Sequence, residues 1–173
     1  MRFVRHFYIT ALPALGGLGS TPSMKLADLI GHVEENRPWS EQLEALALLD
    51  DLLQRESLLA GETEEVEPAV LTLQQVRGEA SLPEELEASA DTDQANVLEI
   101  DLLWERYFRH AHQVGLAHAN RFLVSWVEFE IALRNALAAA RAGRLELDES
   151  DYIIAADLAH SEEDLSGILS GWE

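Results

Sequence analysis

The second half of the chain carries two long apolar stripes at helical spacing, and they constrain the fold more than any other feature. The first stripe runs from Val97 to Val114. The second follows Asn120, a favoured N-cap residue, and ends at Gly143. One face of the predicted helix is lined by Phe122, Trp126, Phe129, Leu133, Ala136, Leu137 and Ala140. Apolar residues also lie on other faces of this helix. The sequence therefore predicts that neighbouring parts of the protein enclose the helix on several sides.

The first half predicts shorter helices. Hydroxyl residues between Ser20 and Ser23 favour a helix start, and that helix should run to about Val33. Ser40 is a candidate N-cap for an amphipathic helix, which Gly61 should end.

An acidic tract with several proline and glycine residues, 61–93, predicts loops and short helices. A last short helix is expected over 149–158, and no segment shows the alternation of a strand. The sequence therefore predicts an all-α fold. It is an antiparallel helix bundle with two long C-terminal helices and an irregular acidic middle segment, in one domain that spans 1–173.

The charge of the chain excludes several classes of partner. Its 173 residues contain 12 Lys and Arg against 32 Asp and Glu, a net charge of −20. Such a surface repels nucleic acid and anionic lipid unless it carries a basic patch, and no run of Lys or Arg is present. No apolar run approaches the roughly 18 residues of a membrane-spanning helix. We therefore expect a cytoplasmic protein with no nucleic-acid partner and no direct membrane insertion.

Signals for catalysis are weak. The chain has no cysteine, so thiolate metal sites and cysteine nucleophiles are excluded. His110 and His112 lie two residues apart and would point about 200° away from each other on a helix, which prevents shared metal binding. Glycine-rich phosphate loops, zincin motifs and nucleophile elbows are missing from the sequence. We predict that the chain is not an enzyme and has no cofactor or metal.

Acidic side chains inside apolar segments have two interpretations. Asp50, Asp51, Asp101, Glu128 and Glu130 all interrupt apolar helices, and any two of them could form an acid-base pair. The preferred interpretation is a structural ion pair around Arg134, because buried charges are normally paired. Glu130 lies one turn before Arg134, and an aspartate of the Ser40 helix, Asp50, is the predicted partner from across the bundle.

Large aromatic residues are the predicted core or interaction anchors. Phe7 and Tyr8 are expected to form an aromatic plug before a Gly/Pro loop. Trp172 is expected to be exposed or bound to a partner. The remaining predicted anchors are Trp104, Phe122, Trp126 and Phe129.

Two stretches of the chain have distinctive motifs. The first is Phe7-Tyr8-Ile9-Thr10-Ala11-Leu12-Pro13-Ala14-Leu15, with paired aromatics before Leu-Pro. The second comprises Asn120-Arg121-Phe122-Leu123, Trp126, Phe129-Glu130 and Leu133-Arg134-Asn135-Ala136-Leu137. Together these stretches resemble an uncharacterised bacterial family that is encoded beside the genes of V-type ATP synthases. The middle of the chain matches only in pattern, and family members are often longer. The family is similar to the funnel-like subunit that joins the central stalk of the V-type ATP synthase to its membrane ring.

The resemblance implies a helical, non-catalytic protein that contacts the central-stalk or rotor subunits of a V-type ATP synthase, peripheral to the membrane. It supplies no active-site residues. An accessory or assembly factor fits as well as a coupling subunit. The alternative from the residues alone is a small helical enzyme or ligand-binding bundle with its site between the two long helices. A weaker possibility is an acidic protein that occupies a basic partner surface.

Overall fold

A computed structural model of the chain describes residues 13–14, 16–34, 40–87 and 99–159. Within these ranges the protein is all-α, and no strand occurs. The α-helices are α1 (Leu26–Glu34), α2 (Ser40–Leu59), α3 (Leu73–Val76), α4 (Glu99–Ala117) and α5 (Arg121–Arg144). Two 3-10 turns follow, Glu149–Tyr152 and Ala156–Leu158. The predicted fold class is thereby confirmed, including the two long C-terminal helices.

The chain forms two compact units, Met1–Ala80 and Ser81–Glu173. In the first, α2 packs against α1 and α3; in the second, α5 packs against α4 and both 3-10 turns. Compact units of this size occur within single domains as well as between domains, so the predicted single domain stays a prediction. No helix in the described ranges is both long enough and apolar enough to cross a membrane.

In the first unit, the helices begin and end close to the predicted residues. Helix α1 begins at Leu26, later than the predicted start, because Ser20 closes a turn on the Gly17 carbonyl through both its amide and its hydroxyl. Helix α2 ends at Leu59, and Gly61 follows with a φ of 74°. Its amide donates to the Leu58 carbonyl, which stops the helix as predicted.

The acidic tract contains one short helix, α3, which begins with a capping box. The Thr72 hydroxyl accepts a hydrogen bond from the Gln75 amide, and the Gln75 side chain accepts one from the Thr72 amide. The last residues of this tract that the structure describes, Ser81–Glu87, belong to the second unit, where Leu86 is buried.

Helices α4 and α5 form an antiparallel hairpin because only three residues connect them. Asn120 is the N-cap of α5, as predicted, and its side chain accepts a hydrogen bond from the Leu123 amide at 3.1 Å. The core of the hairpin consists of Leu103, Trp104, Tyr107, Phe108 and Ala111 from α4, with Leu123, Val127, Ile131 and Ala132 from α5.

Helices α4 and α5 approach each other closely at Gly115, near the end of α4. A Cβ atom at Gly115 would lie 2.8 Å from Cγ2 of Val124 and 3.2 Å from its backbone nitrogen. We expect Gly115→Ala to lower the free energy of unfolding by about 1–2 kcal/mol, because overpacking outweighs the better helix propensity of alanine. Chemical denaturation measures this loss.

The reverse substitution, from alanine to glycine at position 119, serves as the control for Gly115→Ala. Ala119 has a φ of 49°, in the left-handed region, and its amide and that of Asn120 close α4 onto Leu116 and Gly115. Ala119→Gly should raise stability by up to about 1 kcal/mol, since glycine adopts this conformation without strain. An equal loss in both variants would contradict this account of the turn.

Candidate interaction surface

Helix α5 has apolar side chains on two opposite sides. Leu123, Val127 and Ile131 are fully buried against α4 and the 3-10 turns. On the other side, Phe122, Trp126, Phe129 and Leu133 follow one another at intervals of four and three residues, and we call these four residues the outer stripe. Phe122 is 69% exposed and Phe129 41% exposed. Trp126 and Leu133 are partly exposed.

The two sides of α5 differ in the size of their side chains. The buried side has small and medium side chains, with alanine at 132 and 142, and α4 approaches it closely where Gly115 faces Leu123 and Val124. The larger aromatic side chains lie on the other side. The prediction that neighbours enclose α5 on several sides does not hold at Phe122 and Phe129, because periodicity finds an apolar face without showing what covers it.

The predicted anchors fall into three groups. Trp104 is a core residue and packs edge-on against Tyr107, with ring centroids 5.9 Å apart. Phe122, Trp126 and Phe129 belong to the outer stripe. Phe7, Tyr8 and Trp172 lie outside the described residues.

Arg134 pairs with Asp101 of α4 instead of the predicted Glu130 and Asp50. Its Nη2 atom lies 3.2 Å from Oδ1 of Asp101, and its guanidinium carbon lies 4.9 Å from the centre of the Trp104 ring. Stacking on Trp104 directs the guanidinium towards α4, away from Glu130 on its own helix. Asp50 belongs to the other unit, where it is exposed and accepts a hydrogen bond from Gln54.

Glu130 lies beside the outer stripe and is partly buried. Its carboxylate accepts a hydrogen bond from the Trp126 side chain, and burial raises the pKa of this carboxyl above its usual value. The charge of Glu130 also adds to the effect of burial in raising the pKa of Tyr107. A carboxylate that is costly to keep charged thus adjoins a partly exposed tryptophan.

Replacing Glu130 tests this electrostatic cost. Because folding raises its pKa, the folded chain binds this proton more readily, and its stability falls as the pH rises from the ordinary glutamate value through the raised one. Glu130→Gln should therefore unfold at higher urea concentration than the original chain at neutral pH, and the gain should disappear in acid. Glu87→Gln, at an exposed site in the same unit, controls for the change in net charge. A less stable Glu130→Gln variant at neutral pH would contradict the pKa shift.

Other charged side chains of the second unit join its elements. Arg109 binds Glu105 at 2.7 Å and Asp157 at 2.8 Å, which ties α4 to the second 3-10 turn. The two partners raise the pKa of Arg109, and Arg109 lowers that of Asp157. His112 lies 3.5 Å from Glu128 across the hairpin. Within the described ranges, no three His, Asp or Glu side chains converge as a metal site would require.

Two buried polar residues have structural roles that were not predicted from the sequence. Asp51 of α2 accepts hydrogen bonds from the amides of Ala69, Val70 and Leu71 at 2.6–2.7 Å. Asn135 of α5 donates to the carbonyl of Ile154 at 2.8 Å and accepts from its amide at 3.1 Å. The available signal was their position among core residues, since Asp51 adjoins Leu52 and Asn135 lies one turn after Ile131. Both side chains organise a loop and are closed to solvent.

The chain belongs to a family described as Protein of unknown function (DUF2764), whose model matches residues 57–168. These residues make up more than half of the chain and contain α4, α5, the outer stripe and Asn135. No curated protein and no solved structure matches the chain.

Proposed function

We propose that the chain is a non-catalytic protein that binds a helix of a V-type ATP synthase subunit, in the central stalk or the rotor, through the outer stripe. The observation that carries the proposal is the exposure of Phe122 and Phe129 on a helix whose opposite side is already buried. Within the described ranges, the other elements of this unit pack against one of the two apolar sides, and exposed aromatic rings in one row are typical of protein interfaces. The link to the ATP synthase rests on the resemblance of the Asn120–Leu137 segment to the family encoded beside its subunits.

The charged groups support binding over catalysis. Arg109, Arg134 and His112 each face a carboxylate that links two elements, so these side chains have structural partners. A protein with this function would act in the cytoplasm and reach the membrane only through the ATP synthase complex.

Capture from the native cell under gentle conditions tests this function. The tagged original chain should recover stalk or rotor subunits, and Phe122→Asp should lose them, because a charge placed in an apolar contact is desolvated without a partner. The fold should tolerate the change, since Phe122 lies in the first turn of α5, where an aspartate is favourable.

A matched control is available at Leu73, which is also exposed, also in the first turn of its helix, and in the other unit. Leu73→Asp adds the same charge and should retain the subunits. Recovery of no ATP synthase subunit by the original chain, or equal recovery by both variants, would contradict the proposal.

A further inference from the structure

Three exposed arginines lie at the two ends of α5. Arg121 directly precedes Phe122, while Arg141 and Arg144 lie in the last turn of α5. Within the described part of the chain, none of the three forms an ion pair. Including Arg134, α5 carries four arginines against the two glutamates Glu128 and Glu130, so it is a basic helix in a chain with a net charge of −20.

The row of outward residues also changes in size along α5. It begins with the large residues Phe122, Trp126 and Phe129 and continues at the same spacing through Leu133 to Ala136 and Ala140. Alternating intervals of four and three residues are the pattern with which one helix packs along another. A well-fitting partner helix therefore has small residues near Phe122 and large ones near Ala140.

A second copy of the chain fits the sizes but not the charges. In an antiparallel pair, the large half of each α5 would meet the small half of the other. The same arrangement would put Arg121 next to Arg141 and Arg144 of the other copy and would bring the two Glu130 side chains together. Like charges in such pairs are unfavourable, so the arginines favour a different, acidic occupant.

We propose that the outer stripe binds an amphipathic helix whose apolar row is flanked by aspartate or glutamate at both ends. The two arginine positions, Arg121 and Arg144, are about 34 Å apart along α5 at 1.5 Å per residue, which sets the length of the partner helix. Arginine and carboxylate form charge-assisted pairs at the edge of the contact, and these select the partner. This inference rests on the proposed function and specifies the chemistry of its partner.

Two synthetic helical peptides test the sign of the charge. Both carry the same row of leucine and alanine, graded in size to complement α5, and one has glutamate and the other lysine at the flanking positions. Ionic strength of about 0.15 M screens distant charges beyond roughly 8 Å, so the arginines near the contact decide the preference. The glutamate peptide should bind the full chain about tenfold more tightly, which corresponds to one charge-assisted contact.

Variants of single arginines locate the effect. Arg144→Glu should remove most of the preference for the glutamate peptide, whereas Arg77→Glu should keep it, because exposed Arg77 lies in the other unit and its replacement changes the net charge equally. Circular dichroism verifies that both variants retain their helices. The proposal is overturned if the lysine peptide binds more tightly, if neither peptide binds, or if the two variants behave alike.

Other occupants of the stripe would give different results. A dimer of the free chain in sedimentation that Phe122→Asp dissociates would assign the stripe to a second copy. A peptide with the sequence of residues 160–173 that binds in trans more tightly than the glutamate peptide would assign it to the chain itself. Either result overturns the acidic partner. If Phe122→Asp loses the ATP synthase subunits while the peptides bind equally, only the charge inference fails and the proposed function stands.

Discussion

Asp51→Ala is expected to lower the free energy of unfolding of the first unit by about 3 kcal/mol, because it leaves three backbone amides without an acceptor. The Asp51 side chain is fully buried, and its two oxygens accept from Ala69, Val70 and Leu71. These amides belong to the loop that leads into α3. Loss of the carboxylate should therefore release this loop from α2.

Two further substitutions separate the charge from the packing. Asp51→Asn keeps the size of the side chain but replaces one acceptor by a donor, and should cost about 2 kcal/mol. Asp50→Ala removes the exposed neighbour, which accepts a hydrogen bond from Gln54, and should change stability by less than about 0.5 kcal/mol. Urea denaturation measures all three, and hydrogen exchange at residues 69–71 should accelerate only in the Asp51 variants. Unchanged protection of these amides in Asp51→Ala would refute the role of the carboxylate.

Asn135→Ala is expected to lower the stability of the second unit by about 2–3 kcal/mol. The Asn135 amide forms both hydrogen bonds with the backbone of Ile154, and all of these groups are buried. Alanine leaves one buried carbonyl and one buried amide unpaired and removes packing volume. Because this contact fixes the segment between the two 3-10 turns to α5, the amide of Ile154 should also exchange faster with solvent.

Asn135→Asp tests the donor half of this contact. The aspartate can accept from the Ile154 amide but cannot donate to the Ile154 carbonyl, and it would bury an unpaired charge. It should be at least as destabilising as alanine at neutral pH and less so in acid, where a protonated carboxyl can donate. Gln113→Ala, at an exposed site on α4, is the control and should be nearly neutral. A stable Asn135→Asp variant at neutral pH would contradict the two-bond arrangement.

Local signals were sufficient to predict much of the fold. Asn120 and Gly61 mark helix ends in the sequence because an N-cap side chain and a positive φ are properties of a few adjacent residues. The all-α class and the α4–α5 hairpin follow from the long periodic segments. The start of α1 differed from the predicted start. The Ser20 hydroxyl can either cap a helix or close a turn, and hydrophobic periodicity does not distinguish these two structures.

The partners of polar groups could not be predicted in the same way. Arg134 has a glutamate one turn earlier on its own helix, yet the geometry of the hairpin and the Trp104 ring place it against Asp101. Asp51 and Asn135 bind the backbone of residues at least 18 positions away, and no sequence pattern encodes such a contact. The outer stripe was visible as an apolar face, but its exposure depends on which side of α5 packs against α4.

Thiol protection on α5 tests most directly whether the outer stripe is covered by an ATP synthase subunit. The chain has no cysteine, so Ser125→Cys introduces a single thiol beside Phe122 and Phe129, and Gln113→Cys introduces one on α4 as a control. In the complex isolated from the native cell, alkylation at position 125 should slow by at least about tenfold relative to the free protein, because the centre of an interface excludes water. Alkylation at position 113 should be unaffected. Equal alkylation at position 125 in the free protein and in the complex would contradict the account.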